Sequence, residues 1–285
     1  MVKETCDRRF LTLGARALLL VALLPASLSC GLFGGPKSPK VPTTTPAASP
    51  TTATSSSKPT PFPSPACGAG LLKDCFASSG EMRVYLELVA PLVEQYFAEA
   101  YPLIRKPQIR FARGGESGPT ACPDERGRPE LYTDTSYSYC SLDGTIYLGE
   151  QQVWKYYKEA GDIAPAVGLA HEWGHHIQRE RGIPTNAPIQ YENQADCLAG
   201  GWIGYLASRD LIGRQDQQSI DRLIAQIASA DAPGRGHGTL TERQSAVNSG
   251  FTGVLTRRLI SPTPASTGAG LGACNRYFPT VPISP

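Results

Sequence analysis

Apolar residues recur at helical spacing through the second half of the chain and at strand spacing in a short stretch before it. Between Gly80 and Pro102, Val84, Val89, Leu92, Val93, Tyr96 and Phe97 share one face of a 3.6-residue repeat, which predicts an amphipathic helix. Gln108 to Ala112 alternates with period two and reads as a strand. Tyr137–Cys140 and Thr145–Leu148 flank Asp143-Gly144, a dipeptide suited to the positive-φ turn of a hairpin. Helical patterns follow at 150–160, 162–181, 188–208, 216–230 and 241–249. Asp162 is placed to cap the second of these and Gly182 to end it, while Thr239 with Glu242 spells a capping box for the last. The pattern predicts an α+β domain, mostly helical with a small sheet. Thr145–Leu148 is expected at the edge of that sheet, where a peptide backbone can pair with it.

The ends of the chain follow other rules. Lys3, Arg8, Arg9 and Arg16 precede an apolar run from Ala17 to Leu24. That run is far shorter than the ~20 residues needed to cross a bilayer, so residues 1–29 read as a signal peptide. Small residues lead into Cys30, as at the cleavage site of a bacterial lipoprotein, whose cysteine is acylated. Ser27 and Leu28 stand in the reverse of the usual order, so plain secretion with cleavage near Ser29 is the alternative. Of the 36 residues from Gly31 to Ala66, 22 are Pro, Ser or Thr, with no acid among them, which makes 30–66 a tether that cannot bury a core. The folded domain is expected over 67–256, followed by a loose tail over 257–285.

Composition and charge narrow the function. The net charge is +2, and without residues 1–29, which carry four basic and two acidic side chains, the charges balance. Nucleic acid is therefore not an expected partner, because binding it needs clustered positive charge to release counterions. No C-x-x-C pair occurs among the eight cysteines, so neither a redox dithiol nor a cysteine zinc finger is indicated.

The chemistry lies at His171-Glu172-Trp173-Gly174-His175. On a helix, residues i and i+4 sit one turn apart on one face, so both imidazoles can reach one metal ion with Glu172 beside it as general base. The composition gives roughly 0.003 chance matches to this pattern, which leaves coincidence a weak rival. His176 points about 100° away from that face. A catalytic zinc site needs a third protein ligand, and position 181, where an extended motif would place a third histidine, is Arg181. Glu192, on the next helix, is the candidate; Asp196, four residues on, is placed to fix a ligand histidine through its other ring nitrogen. Two solvent-facing acids are the alternative reading of that pair. His237, in a Gly/Pro-rich run, is a candidate donor to a developing oxyanion, or simply an exposed loop histidine.

Taken together, His171–Gln178, Glu192–Gly200 and His237-Gly238 ahead of Gly250-Phe251 resemble the bacterial putative neutral zinc metallopeptidase family. The likeness extends upstream to Cys140, Asp143, Ile146–Leu148 and Gly161-Asp162, so that it covers 122–251. Asn193 stands where the family usually has Leu, and Ala246-Val247 where it more often has Trp-Phe. The resemblance implies a zincin-like fold of the gluzincin type, a Zn2+ cofactor and a peptide or protein substrate.

If Cys30 carries lipid and Cys6 leaves with the signal, six cysteines remain. Locality pairs Cys67 with Cys75 and Cys122 with Cys140, leaving Cys197 with Cys274, a bridge that staples the tail to the Glu192 helix. A free Cys197 is the alternative, disfavoured in an oxidising compartment. Two functions are open at this level. One is an exported, lipid-anchored or secreted zinc peptidase; the other is a non-catalytic, zinc-stabilised lipoprotein module that binds a partner.

Overall fold

The computed structural model describes residues 74–285. The expected signal peptide, Cys30, the tether and Cys67 lie outside the described residues. After a single 3-10 turn come α1 (Met82–Ala100), β1 (Gln108–Ala112), β2 (Ser117–Pro123), β3 (Pro129–Thr133), β4 (Tyr137–Cys140) and β5 (Thr145–Gly149). The helices α2 (Glu150–Glu159), α3 (Ala164–Glu180), α4 (Pro188–Ala207), α5 (Arg214–Ile227), α6 (Leu240–Ile260) and α7 (Pro264–Gly270) follow, then a 3-10 segment, Leu271–Tyr277. The fold class is α+β. Among the described residues no helix is long and apolar enough to cross a membrane.

The buried arc of α1 is Met82, Tyr85, Leu86, Val89, Val93, Tyr96, Phe97 and Ala100. It is rotated from the face expected from the sequence. Val84 is 50% exposed, because the large tyrosines, which periodicity counts as ambivalent, turn inward.

The β4–β5 hairpin forms as expected, with Gly144 at φ 71° in its turn. The sheet order is β1-β5-β4, with β1 parallel and β4 antiparallel to β5. This corrects the expected edge strand: Thr145–Leu148 is central, every residue of β5 is buried, and β1 and β4 are the two edges, β4 lying beside α3. A run buried on both faces loses the polar-apolar alternation that would have marked its place. β2 and β3 form a separate hairpin, tied to β4 by the Cys122–Cys140 disulfide.

Helix α4 is the centre of the packing, buried from Asn193 to Leu206. It lies against α6 at backbone contact. A Cβ at Gly250 would sit 1.8 Å from the Cys197 carbonyl oxygen, and one at Gly200 2.1 Å from that of Val247. Only glycine allows that approach. For the same reason α6 runs to Ile260 rather than ending at Ser249: its glycines read as breakers but serve as contact points, Gly253 facing the Gly270 carbonyl. Ala246 and Val247 are buried on α6, the Val247 carbonyl facing Gly200.

Two further expectations are corrected. Asp162 does not cap α3; Ile163 holds the N-cap position without a side-chain hydrogen bond, and the Asp162 carbonyl instead accepts from the Tyr85 hydroxyl at 2.6 Å. Nor is the tail after 257 loose. Thr263 caps α7 with Pro264 in its first turn, and Leu271, Cys274, Phe278 and Ile283 are buried in the common core. Its Pro, Thr and Gly content matches disordered composition, yet here supplies a cap, a first-turn proline and close contacts. The Cys197–Cys274 disulfide fixes it to α4. Cys75 is also disulfide-bonded.

Candidate metal centre

The motif residues His171 and His175 lie one turn apart on α3, their rings 4.7 Å between centroids and nearly perpendicular. Gly174 stands between them for a packing reason. A Cβ there would lie 3.0 Å from the Cα of Ala195, so its absence lets α4 come close enough to deliver Glu192. Glu192 Oε2 is 3.3 Å from His171 Nε2 and its Oε1 is 3.4 Å from His175 Nε2. Three donor atoms, one from each residue, fall within 4.8 Å of one another, and no other cluster of this kind occurs among the described residues.

Both rings are held from behind. Asp196, one turn after Glu192 on α4, takes His171 Nδ1 at 2.9 Å. Gln178 Oε1 takes His175 Nδ1 at 2.8 Å, and the amide cannot turn around, because its Nε2 donates to the Tyr191 carbonyl at 2.7 Å and to Gln194 Oε1 at 3.1 Å. With Nδ1 of each ring engaged by an acceptor, Nε2 is the nitrogen that each ring turns toward Glu192. Tyr191 stacks on His175 at 5.1 Å. Arg243, from α6 and only 2% exposed, donates to the same Asp196 oxygen at 2.8 Å.

Electrostatics favour a cation here. Burial opposes a charge on His171, but the carboxylates of Asp196 and Glu192 outweigh it and hold this imidazole up to about 10. Burial and the neighbouring His171 charge push His175 down to about 4. Burial alone would raise Glu192; the ring N–H groups of His171 and His237 hold it well below the usual carboxylate range. Two imidazole nitrogens and a carboxylate that together stabilise one positive charge are a donor set that fits Zn2+.

Glu172 is buried one residue after His171. Burial pushes it up to about 7, with His171 opposing the rise and Glu192 adding to it. His237 comes from the loop between α5 and α6 and places Nδ1 2.8 Å from Glu192 Oε2, with its own ring 56% exposed. The loop is set by Arg235, which binds Glu242 through two nitrogens and donates to the His237 carbonyl, and by Gly238, whose missing Cβ makes room for Asn193. His176 faces away, bonded to the Tyr139 hydroxyl and the Arg105 carbonyl.

Residues 132–252 match the family described as putative neutral zinc metallopeptidase. Among the relatives it resembles, the uncharacterized protein YpfJ of Escherichia coli K12 is 30% identical over 149 residues, 40% of this chain and 49% of that protein. The uncharacterized protein Rv2575 of Mycobacterium tuberculosis H37Rv is 31% identical over 84 residues, 25% of this chain and 29% of that protein. The chain thus spans about half the length or less of these curated relatives. No solved structure matches it.

Three residues of the candidate site escape sequence reasoning: Gln178, Tyr191 and Arg243. Gln178 stands where an extended zinc motif would have glycine and draws notice only for that, although an amide three residues after a histidine is within its reach on a helix. Arg243 lies 47 residues from Asp196, and no local pattern points to it.

Proposed function

We propose that this chain is an exported zinc metallopeptidase that hydrolyses peptide bonds. His171, His175 and Glu192 hold the ion and Glu172 is the general base. The observation that carries the reading is a three-residue donor set with a second acidic side chain, Glu172, buried beside it. A purely structural zinc closed by four protein ligands has no use for such a neighbour.

When bound, the ion supplies Lewis acidity that polarises a carbonyl and acidifies a water to ~7. Glu172, raised to about 7 by burial, suits general acid–base chemistry near neutrality, since its carboxylate can accept a proton and return it to the leaving nitrogen. Asp196 and Gln178 keep the Nδ1 protons of the two histidines in place. His237, which donates Nδ1–H to Glu192, serves a developing oxyanion as the doubly protonated imidazolium, whose Nε2–H is the second donor. The substrate backbone pairs with the edge strand β4, which runs beside α3. Cys30 carries the lipid that anchors the domain to the outer face of the cell membrane.

The test is a digest of a peptide library by wild type and Glu172→Gln, each assayed for zinc. The variant should keep one zinc per chain and lose about 10² to 10⁴ in kcat. Equal cleavage by both would move the base elsewhere. Zinc without hydrolysis in wild type would favour the binding-module reading.

A further inference from the structure

The three-stranded sheet has a second edge, β1, on the side away from the strand that runs beside α3. The Gln108 N–H donates to the Gly144 carbonyl at 3.0 Å and starts a regular parallel ladder to β5, from Gln108 opposite Thr145 to Ala112 opposite Gly149. In such a ladder alternate residues bond the partner strand through both backbone groups, so Gln108, Arg110 and Ala112 direct theirs to β5. The N–H and C=O of Ile109 and Phe111 point the other way, and no strand among the described residues pairs with them.

A groove of about 520 Å³ runs beside them. It touches Ile109, Arg110 and Phe111 in succession. Successive side chains leave a strand on opposite faces, so a cavity that meets three in a row follows the edge of the strand and not one face of the sheet. Leu86 and Ala90 from α1 supply an apolar far wall. Natural edges are blunted by a bulge, a proline, a projecting charge or a covering segment. Among the described residues β1 shows none of these. Its register with β5 is unbroken, Ile109 is 40% exposed, and Arg110 is drawn off toward the β2–β3 hairpin by Glu116 and the Tyr132 hydroxyl.

The charged rim selects the occupant. Arg83 pairs with Glu87 and Arg110 with Glu116, which leaves Arg113 as the charge in excess. A second copy paired along β1 about a two-fold axis would set Arg110 against its own image, and like charges directly opposite destabilise a strand pair. The segment 30–66 carries Lys37, Lys40 and Lys58 and no acid, so its charge repeats that of the groove. An acidic strand complements it.

We propose that β1 is a docking edge for an extended acidic segment of a partner protein. The segment adds antiparallel to β1 and takes the free backbone groups of Ile109 and Phe111. Its apolar side chains lie against Leu86 and Ala90, alternating with carboxylates that face the arginine rim. This site is separate from the metal centre and independent of the reading given to it.

The test uses the full chain and three fluorescein-labelled hexapeptides: alternating Val and Glu, alternating Val and Lys, and the Val/Glu peptide fully N-methylated. By fluorescence anisotropy the Val/Glu peptide should bind about 10-fold or more tighter than either of the others, since one lacks the charge and one the backbone donors. Ile109→Pro removes the outward N–H without touching the ladder to β5, a change that edge strands tolerate. It should lose about as much affinity as N-methylation does while still melting as a folded protein. Arg113→Glu should reverse the order of the Glu and Lys peptides. No binding, equal affinity for the Glu and Lys peptides, or affinity that survives N-methylation would overturn the docking edge. Hydrogen exchange at Ile109 and Phe111 without peptide tests the other occupants. Protection that rises with protein concentration would give the edge to a second copy, and protection lost on deleting 30–66 would give it to that segment; either result would overturn the partner.

Discussion

His175 owes its orientation to a glutamine three residues further along its own helix. If Gln178 fixes the Nδ1 proton, Gln178→Leu should weaken zinc binding by about 10- to 100-fold, read by competition with a chelator. An unchanged affinity would mean that stacking on Tyr191 suffices to hold the ring. Gly174 makes a second point at this scale. Its motif position is legible in the sequence, but its purpose is not, because the reason is a contact with Ala195 on another helix. A methyl group at 3.0 Å from that Cα is tight, and Gly174→Ala should destabilise the fold by about 1 to 3 kcal/mol in urea titrations. The histidines and Glu192 can be found because i, i+4 spacing is local. Arg243 cannot, since its role is set by how α6 crosses α4.

At the scale of elements, the strongest sequence patterns found α1 to α6, and the misplaced end of α6 fell on its glycines. Gly250 and Gly253 look like helix ends when propensity alone is counted, yet α6 continues because backbone contact with its neighbours needs them. Gly250→Ala should therefore be among the costliest small substitutions, several-fold worse than Gly272→Ala, where a Cβ meets nothing within 4 Å. Thermal melts of the two variants compare them directly. The start of α6 also carries a pH signature. Arg235 and the Thr239 N–H bind the charged form of Glu242 and hold it at about 2, below its ordinary 4.5. A carboxylate lowered in the folded state contributes stability that is complete above its unfolded value and lost as the pH falls through the folded one. The difference in urea midpoint between wild type and Glu242→Gln should be full near neutrality and shrink between pH 4.5 and 2. A difference that stayed constant across that window would show that the capping box does not act through the charge.

For the whole molecule, the decisive long-range link is the one between the C-terminal tail and the metal-facing histidine. Gln194 Nε2 donates to the Cys274 carbonyl at 3.2 Å, Gln194 Oε1 accepts from Gln178, and Gln178 accepts from His175. All three bonds run in one direction, so the tail carbonyl at one end specifies the ring tautomer at the other. The Cys197–Cys274 bridge holds that carbonyl in place across a sequence separation of 77. Locality reasoning can pair these cysteines, but composition misreads the tail, because a few buried side chains and one covalent tie outweigh a disorder-like run of small residues. Replacing both cysteines by alanine should cost up to about 4 kcal/mol from loop closure alone. The same variant should also release zinc faster to a chelator, under conditions where it is still folded by circular dichroism. Loss of stability with unchanged zinc release would confine the bridge to stapling the tail and break the proposed connection to His175. Both effects together, with Gln194→Leu reproducing only the faster release, would show that the hydrogen-bond chain carries it.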